Sequence, residues 1–288
     1  MISSIARKIL SAAVLIGWVL SSHATGWGYE EAAVVSGGTV SGKVVLSGTP
    51  PPARIYHLVF SPNLDFCGRI SDGKGNRLVK EFNVSQDGGF QDVIVAVVGV
   101  EKGKPFDYQP QLTIEDCRIA PFVAPIRNHH PIGLHNKDSI AHDIQAYTLK
   151  DDYTFAMFNK PLTPQMVAVK EAKFRKDHYI FRTQCGVHDY MQSWGFAIGN
   201  PYFAVTGPDG TFQIADLPPG DYHVIAWHPH MEVRAQQITV PENGKVTLNF
   251  QFNASEVVIP LHDLQKNYRL ETALETRTLP TPIELQVP

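Results

Sequence analysis

What the chain lacks narrows it first. After residue 24, nothing in the 288-residue sequence is apolar and long enough to form a membrane-crossing helix, so no stable span is expected once the first residues are removed. Charge is scarce: 18% of residues are charged, and 25 Lys and Arg against 28 Asp and Glu leave a net charge of −3. That balance supplies no basic surface for phosphates, so nucleic acid is excluded as a partner. Cysteine is rare, at three residues, and an odd count leaves one thiol for another use. Sustained helical periodicity is missing until the C-terminal tail. Hydrophobic residues are plentiful, at 43%, alongside 22 Gly and 21 Pro. This combination suits a folded protein of short strands and many turns.

The first residues are an exception to the general pattern. Arg7 and Lys8 precede an apolar run from Ile9 to Leu20, and Ser22 and Ala24 are small residues at the −3 and −1 positions of a cleavage site. Residues 1–24 are expected to be a removed signal peptide, leaving a periplasmic or secreted protein that begins near Thr25. In that oxidising setting Cys67 and Cys117 form the natural disulfide, because Cys185 sits beside two other metal donors.

"GTVSGKVVLSG", "DVIVAVVGV", "DHYIFRTQC", "GDYHVIAWH" and "GKVTLNFQF" are short, β-branched and aromatic runs bounded by turn formers. They predict an all-β chain built of sandwiches. Leu261, Leu264, Tyr268 and Leu274 fall near one helical face and predict a short helix over 261–277 in the C-terminal tail, 256–288.

The stretch "TQCGVHDYM" places a thiol, an imidazole and a thioether at Cys185, His188 and Met191, three residues apart each time. Two His and one Cys in a plane with a weak axial Met make a blue-copper site. The second imidazole has to come from upstream, where His129, His130, His135, His142 and His178 are candidates. "GLHNKDSIAHDIQAY" holds two of them, His135 within a predicted strand and His142 after the turn-forming "NKD".

"NKDSIAHDI" and "CGVHDYM" resemble the cupredoxin patterns Asn-x-Asp-x-x-x-His-Asn and Cys-x-x-His-x-x-Met, the latter with the short spacing of amicyanin. The resemblance covers about 106–198. It implies a Greek-key sandwich holding one type 1 copper on His142, Cys185, His188 and Met191, with His135 as the rival to His142. Asp143 departs from the pattern, which has Asn there; that side chain helps pin the Cys loop in the family. The resemblance also implies that His188 is the solvent-facing edge and electron port, with Tyr190 and Trp194 beside it as docking aromatics or sandwich-edge residues.

"TGPDGTFQIADLPPGDYHVIAWH" resembles the carboxypeptidase-regulatory-like domain, a transthyretin-like sandwich, with Phe212, Leu217 and Tyr222 directed at its core. The opening pattern of such domains stands far upstream, at Gly38 to Gly48. The expected organisation is therefore a discontinuous domain of 37–103 plus 199–253, with the cupredoxin inserted between. "WHPHM" puts His228 and His230 on one strand face, either a strand end with exposed imidazoles or a second weak metal site. Four protein ligands leave no open metal position, which implies a one-electron carrier and no enzyme activity. A c-type cytochrome or a periplasmic oxidoreductase would be its partner. The competing expectation is a non-redox binding or structural module, with copper incidental or stored.

Overall fold

The computed structural model describes residues 28–151 and 153–258, together with the backbone of Leu270–Glu271. The predicted signal peptide and nearly all of the C-terminal tail lie outside the described residues. Among those described, no helix is long and apolar enough to cross a membrane.

The chain is all-β, and its strands form two sandwiches. In the first, a four-stranded sheet runs in the order Phe203–Val205, Ile94–Val98, Gly220–Trp227, Arg234–Val240. The facing sheet is built on Gly38–Ser47, which pairs with Thr211–Leu217 on one side and with Lys245–Thr247 and Phe250–Asn253 on the other. Strands from before residue 104 thus pair with strands from after residue 202. Their alternating Val, Ile and Phe side chains meet in one core with Val40, Val44, Phe90, Phe212, Leu217 and Phe250. Tyr222 packs against that core from a partly buried position.

The second sandwich lies between those two portions of the chain. Its four-stranded sheet runs Val167–Glu171, Pro131–Asn136, Gln111–Glu115, Arg118–Ala120. Its five-stranded sheet runs Tyr153–Leu162, His142–Lys150, Ile180–Cys185, Gln192–Ile198, Val123–Arg127. Leu112, Ile114, Leu134, Ile144 and Phe181 fill the space between. A third apolar cluster joins the sandwiches: Ile94, Ile225 and Trp227 from the first meet Val123, Trp194 and Phe196 from the second.

A smaller sheet, Leu270–Glu271, Arg54–His57, Asn76–Val79, completes the architecture. It corrects the predicted tail helix at two positions: Leu270 and Glu271 are extended and pair with Tyr56 and Ile55. Pairing along the edge of Arg54–His57 satisfies backbone groups of both segments, which a helix at these positions would not do. From Arg54–His57 the chain enters a compact segment, a single 3₁₀ turn at Leu58–Phe60 and a short helix at Leu64–Cys67. This segment lies against the second sandwich, because Cys67 is bridged to Cys117 with Cα atoms 5.6 Å apart. The disulfide expected from the sequence is therefore present.

Candidate metal centre

His142 opens the strand His142–Lys150, and Cys185 closes its antiparallel neighbour Ile180–Cys185, directly opposite Ile144. Register alone brings them to the same end of the sheet. The following turn returns His188 to the same point. The Cys185 sulfur is 3.7 Å from Nδ1 of His142 and 3.7 Å from Nδ1 of His188. All three side chains are buried, and their donor atoms lie within 4.8 Å of one another, close enough to hold one metal ion. Nitrogen and sulfur ligands bound at roughly 2.0–2.3 Å and spread about 120° apart stand about 3.7 Å from each other. The residues therefore fit a trigonal ion.

The loop that carries the donors is tied by its own backbone. Cys185 N–H donates to the Met191 carbonyl (3.1 Å), Met191 N–H to the His188 carbonyl (2.9 Å), and Gly186 N–H to the Asp143 carbonyl (2.8 Å). A Cβ at position 186 would come within 2.4 Å of Gln145 Nε2 and 2.8 Å of Asp143 Oδ2, so any larger residue there would have to displace these two side-chain ends. Met191 is buried in the same apolar cluster as Cys185.

The far edge of each imidazole is held as firmly. His142 Nε2 lies 2.8 Å from Asp138 Oδ2. The same carboxylate accepts from the N–H groups of Asp116 (2.7 Å) and Cys117 (2.9 Å). These two residues form the hairpin turn between Gln111–Glu115 and Arg118–Ala120, with φ of 50° and 51°. Asn136 fixes the start of this connection: its amide donates to the carbonyls of Ile140, Leu162 and Thr163, and its oxygen accepts from Asp138 N–H. His188 Nε2 donates to the Pro62 carbonyl at 3.1 Å. Both rings thus carry their proton on Nε2 and turn a bare Nδ1 towards the sulfur, the tautomer a metal requires.

Burial pushes both imidazoles below the usual histidine range; Asp138 opposes this at His142, while His142 reinforces it at His188. Neutral rings are what a cation binds. Burial raises the Cys185 thiol, against the pull of backbone N–H groups at Asp143, Val187 and His188. A thiolate here calls for a cation beside it. Asp138→Ala is expected to leave His142 Nε2 and two turn N–H groups unpaired, and to weaken metal affinity by roughly 10–100-fold in a chelator competition.

Several expectations are corrected here. His188 is fully buried and presents no solvent-facing edge, because Pro62 and Cys67 of the 58–70 segment cover its Nε2 side. Tyr190 and Trp194 are buried as well; Tyr190 packs on Tyr56, and Trp194 joins the cluster between the sandwiches, so neither offers a docking surface. The Asp143 side chain accepts from Gln145, and it is the Asp143 backbone carbonyl that holds the Cys loop. His135 is half-buried on Pro131–Asn136, outside the donor group that contains His142. His129 is exposed and pairs with Glu171, while His178 packs on Phe155.

His228 and His230 are also buried, not exposed. His230 Nε2 stands 3.0 Å from Glu81, which is itself paired with Arg54, and His228 donates to the Glu81 carbonyl. With Arg54 already neutralising the carboxylate, this cluster is a buried ion-pair network. It does not form one of the metal-ligating groups found among the described residues.

Sequence reasoning did not anticipate two parts of the site. Asp138 lay inside the quoted motif, and its i, i+4 spacing from His142 was the available signal. The covering segment 58–70 carried none, since its approach depends on a disulfide across 50 residues.

Comparison with known proteins gives one family match and several weak structural likenesses. The family model of the carboxypeptidase regulatory-like domain matches residues 197–253. Among curated proteins none matches the sequence. Solved structures with weak likeness include a purple cupredoxin from Nitrosopumilus maritimus, 16% identical over 31% of this chain and 99% of that one, with a TM-score of 0.26. Amicyanin from Paracoccus versutus is 14% identical over 36% of this chain and 97% of its own, again with a TM-score of 0.26. A Cu-containing nitrite reductase from Thermus scotoductus is 14% identical, with 35% of this chain matching 25% of the enzyme at a TM-score of 0.26.

Proposed function

We propose that the protein is an exported mononuclear type 1 copper protein acting as a one-electron carrier. The observation that carries this reading is the Cys185 sulfur set 3.7 Å from Nδ1 of both His142 and His188 in a buried pocket. Copper bound there would supply one-electron chemistry at a site whose thiolate and thioether favour Cu(I) and whose imidazoles accept both states. The chain's own part is to hold the donors still. Strand register fixes His142 and Cys185, the backbone-tied loop fixes His188 and Met191, and Asp138 and Pro62 lock the rings. A donor set that does not rearrange between oxidation states keeps the reorganisation cost low. Counting Met191 as the axial ligand, no position is left for a substrate, which favours a carrier over an enzyme.

The test is an optical and paramagnetic-resonance spectrum of the copper-loaded protein. An intense thiolate charge-transfer band that bleaches with a mild reductant is expected; a colourless complex would overturn the reading. Met191→Leu should keep copper and raise the potential, because a weak axial donor is replaced by an apolar group. Redox titration checks it, and an unchanged or lowered potential counts against Met191 as a ligand.

The covering of His188 by the 58–70 segment favours a second reading, in which copper is stored rather than shuttled. The electron self-exchange rate separates the two: a carrier exchanges rapidly despite the cover, whereas a store does not. On the carrier reading the partner is a c-type cytochrome or another exported oxidoreductase.

A further inference from the structure

The Cys67–Cys117 disulfide stands against both imidazoles, on the side away from Cys185. Cys67 Sγ lies 3.6 Å from His188 Nε2. Cys117 Sγ, an Asp138 carboxylate oxygen and a ring nitrogen of His142 all lie within 4.8 Å of one another, and all three residues are buried. The two rings are thus held between a thiol and a disulfide. The bridge itself is buried, while the side chains of Asp116, next to Cys117, and Arg69, two residues beyond Cys67, are exposed.

We propose that this pair, when reduced, is a second site for a soft monovalent cation, Cu(I). A dithiol reductant supplies two electrons and two protons. The S–S bond breaks, Cys67 and Cys117 become thiols, and the dithiol is oxidised to its own disulfide. Each thiol then exchanges its proton for a bond to the cation, and thiolate softness selects Cu(I). Asp138 is the next donor inward, while the Nε2–H edges of His142 and His188 face this site and their bare Nδ1 atoms face Cys185. This second site rests on its own donors, not on the copper reading above.

The test uses the full chain, Cu(I) alone as the probe, and anaerobic competition with a chromogenic chelator. Wild type with its disulfide should bind one equivalent and, after reduction by a phosphine that is then removed, two. Cys185→Ser should bind none when oxidised and one when reduced. The double variant Cys67→Ser with Cys117→Ser should bind one throughout. Retained circular dichroism verifies folding, and the added equivalent should bind at least tenfold more tightly than in the urea-unfolded reduced chain. No added equivalent on reduction, or equal affinity in urea, overturns the proposal. If oxidised wild type binds nothing while reduction still adds one equivalent, it is the main-centre reading that fails and this site stands.

Discussion

Cys185→Ser is expected to abolish the charge-transfer colour of the copper-loaded protein and leave the fold unchanged. Cys185 is the single free cysteine, its sulfur faces both Nδ1 atoms, and it is the sole thiolate available once Cys67 and Cys117 are bridged. A serine hydroxyl is close in volume and keeps the backbone bonds to Met191, so the buried loop is not forced open. The change removes the Cu–S bond itself, and absorption in the visible range should fall to the level of an ordinary cupric site. Intense colour that persists in the variant would remove Cys185 from the ligand set. A matching circular dichroism spectrum is the control for folding.

Glu81→Ala is expected to be the most destabilising single change. Glu81 is buried between His230 and Arg54, and Arg54 is itself buried. Burial alone would push the Glu81 carboxyl up; the charges and hydrogen bonds of His230 and Arg54 outweigh it and hold the carboxyl down, at about 2. Removing the carboxylate strands a buried guanidinium, which costs about 3–5 kcal/mol. For a chain of this size that lowers Tm by on the order of 10 °C. The pH dependence has a definite sign. A carboxyl held lower in the folded state than in the unfolded one stabilises the fold fully above the unfolded value of 4.5, and that stabilisation disappears as pH falls towards 2. Denaturant unfolding of wild type between pH 6 and 3 should show this loss, and Glu81→Ala should flatten it. A variant as stable as wild type, with the same pH profile, would refute the assignment.

Much of this network was written in the chain but not readable from it. "WHPHM" gave two imidazoles on one strand face, expected either at an exposed strand end or as a second weak metal site. Their partner Glu81 comes from about 150 residues earlier, with Arg54 paired to its carboxylate, and no local pattern records that approach. His188 is a similar case. Its spacing from Cys185 follows from a short turn and is legible, but the Pro62 carbonyl that helps bury it arrives from the loop between Leu58–Phe60 and Leu64–Cys67, more than 120 residues earlier. Likewise, the leucines at helical spacing near 261–277 gave no warning of the strand at Leu270–Glu271, because pairing with the distant strand Arg54–His57 set the local structure there.

The sequence by itself determined the all-β class, the disulfide and the grouping of Cys185, His188 and Met191. These follow from side-chain periodicity, cysteine parity and turn length, which act over a few residues. Only the tertiary structure decided which upstream imidazole joins them, because strand register puts His142 beside Cys185 and leaves His135 on the other sheet. It also decided that the centre is closed. A cover is made by a segment distant in sequence and held by a long-range covalent bond, and burial is a property of what packs on a residue, not of the residue's neighbours along the chain.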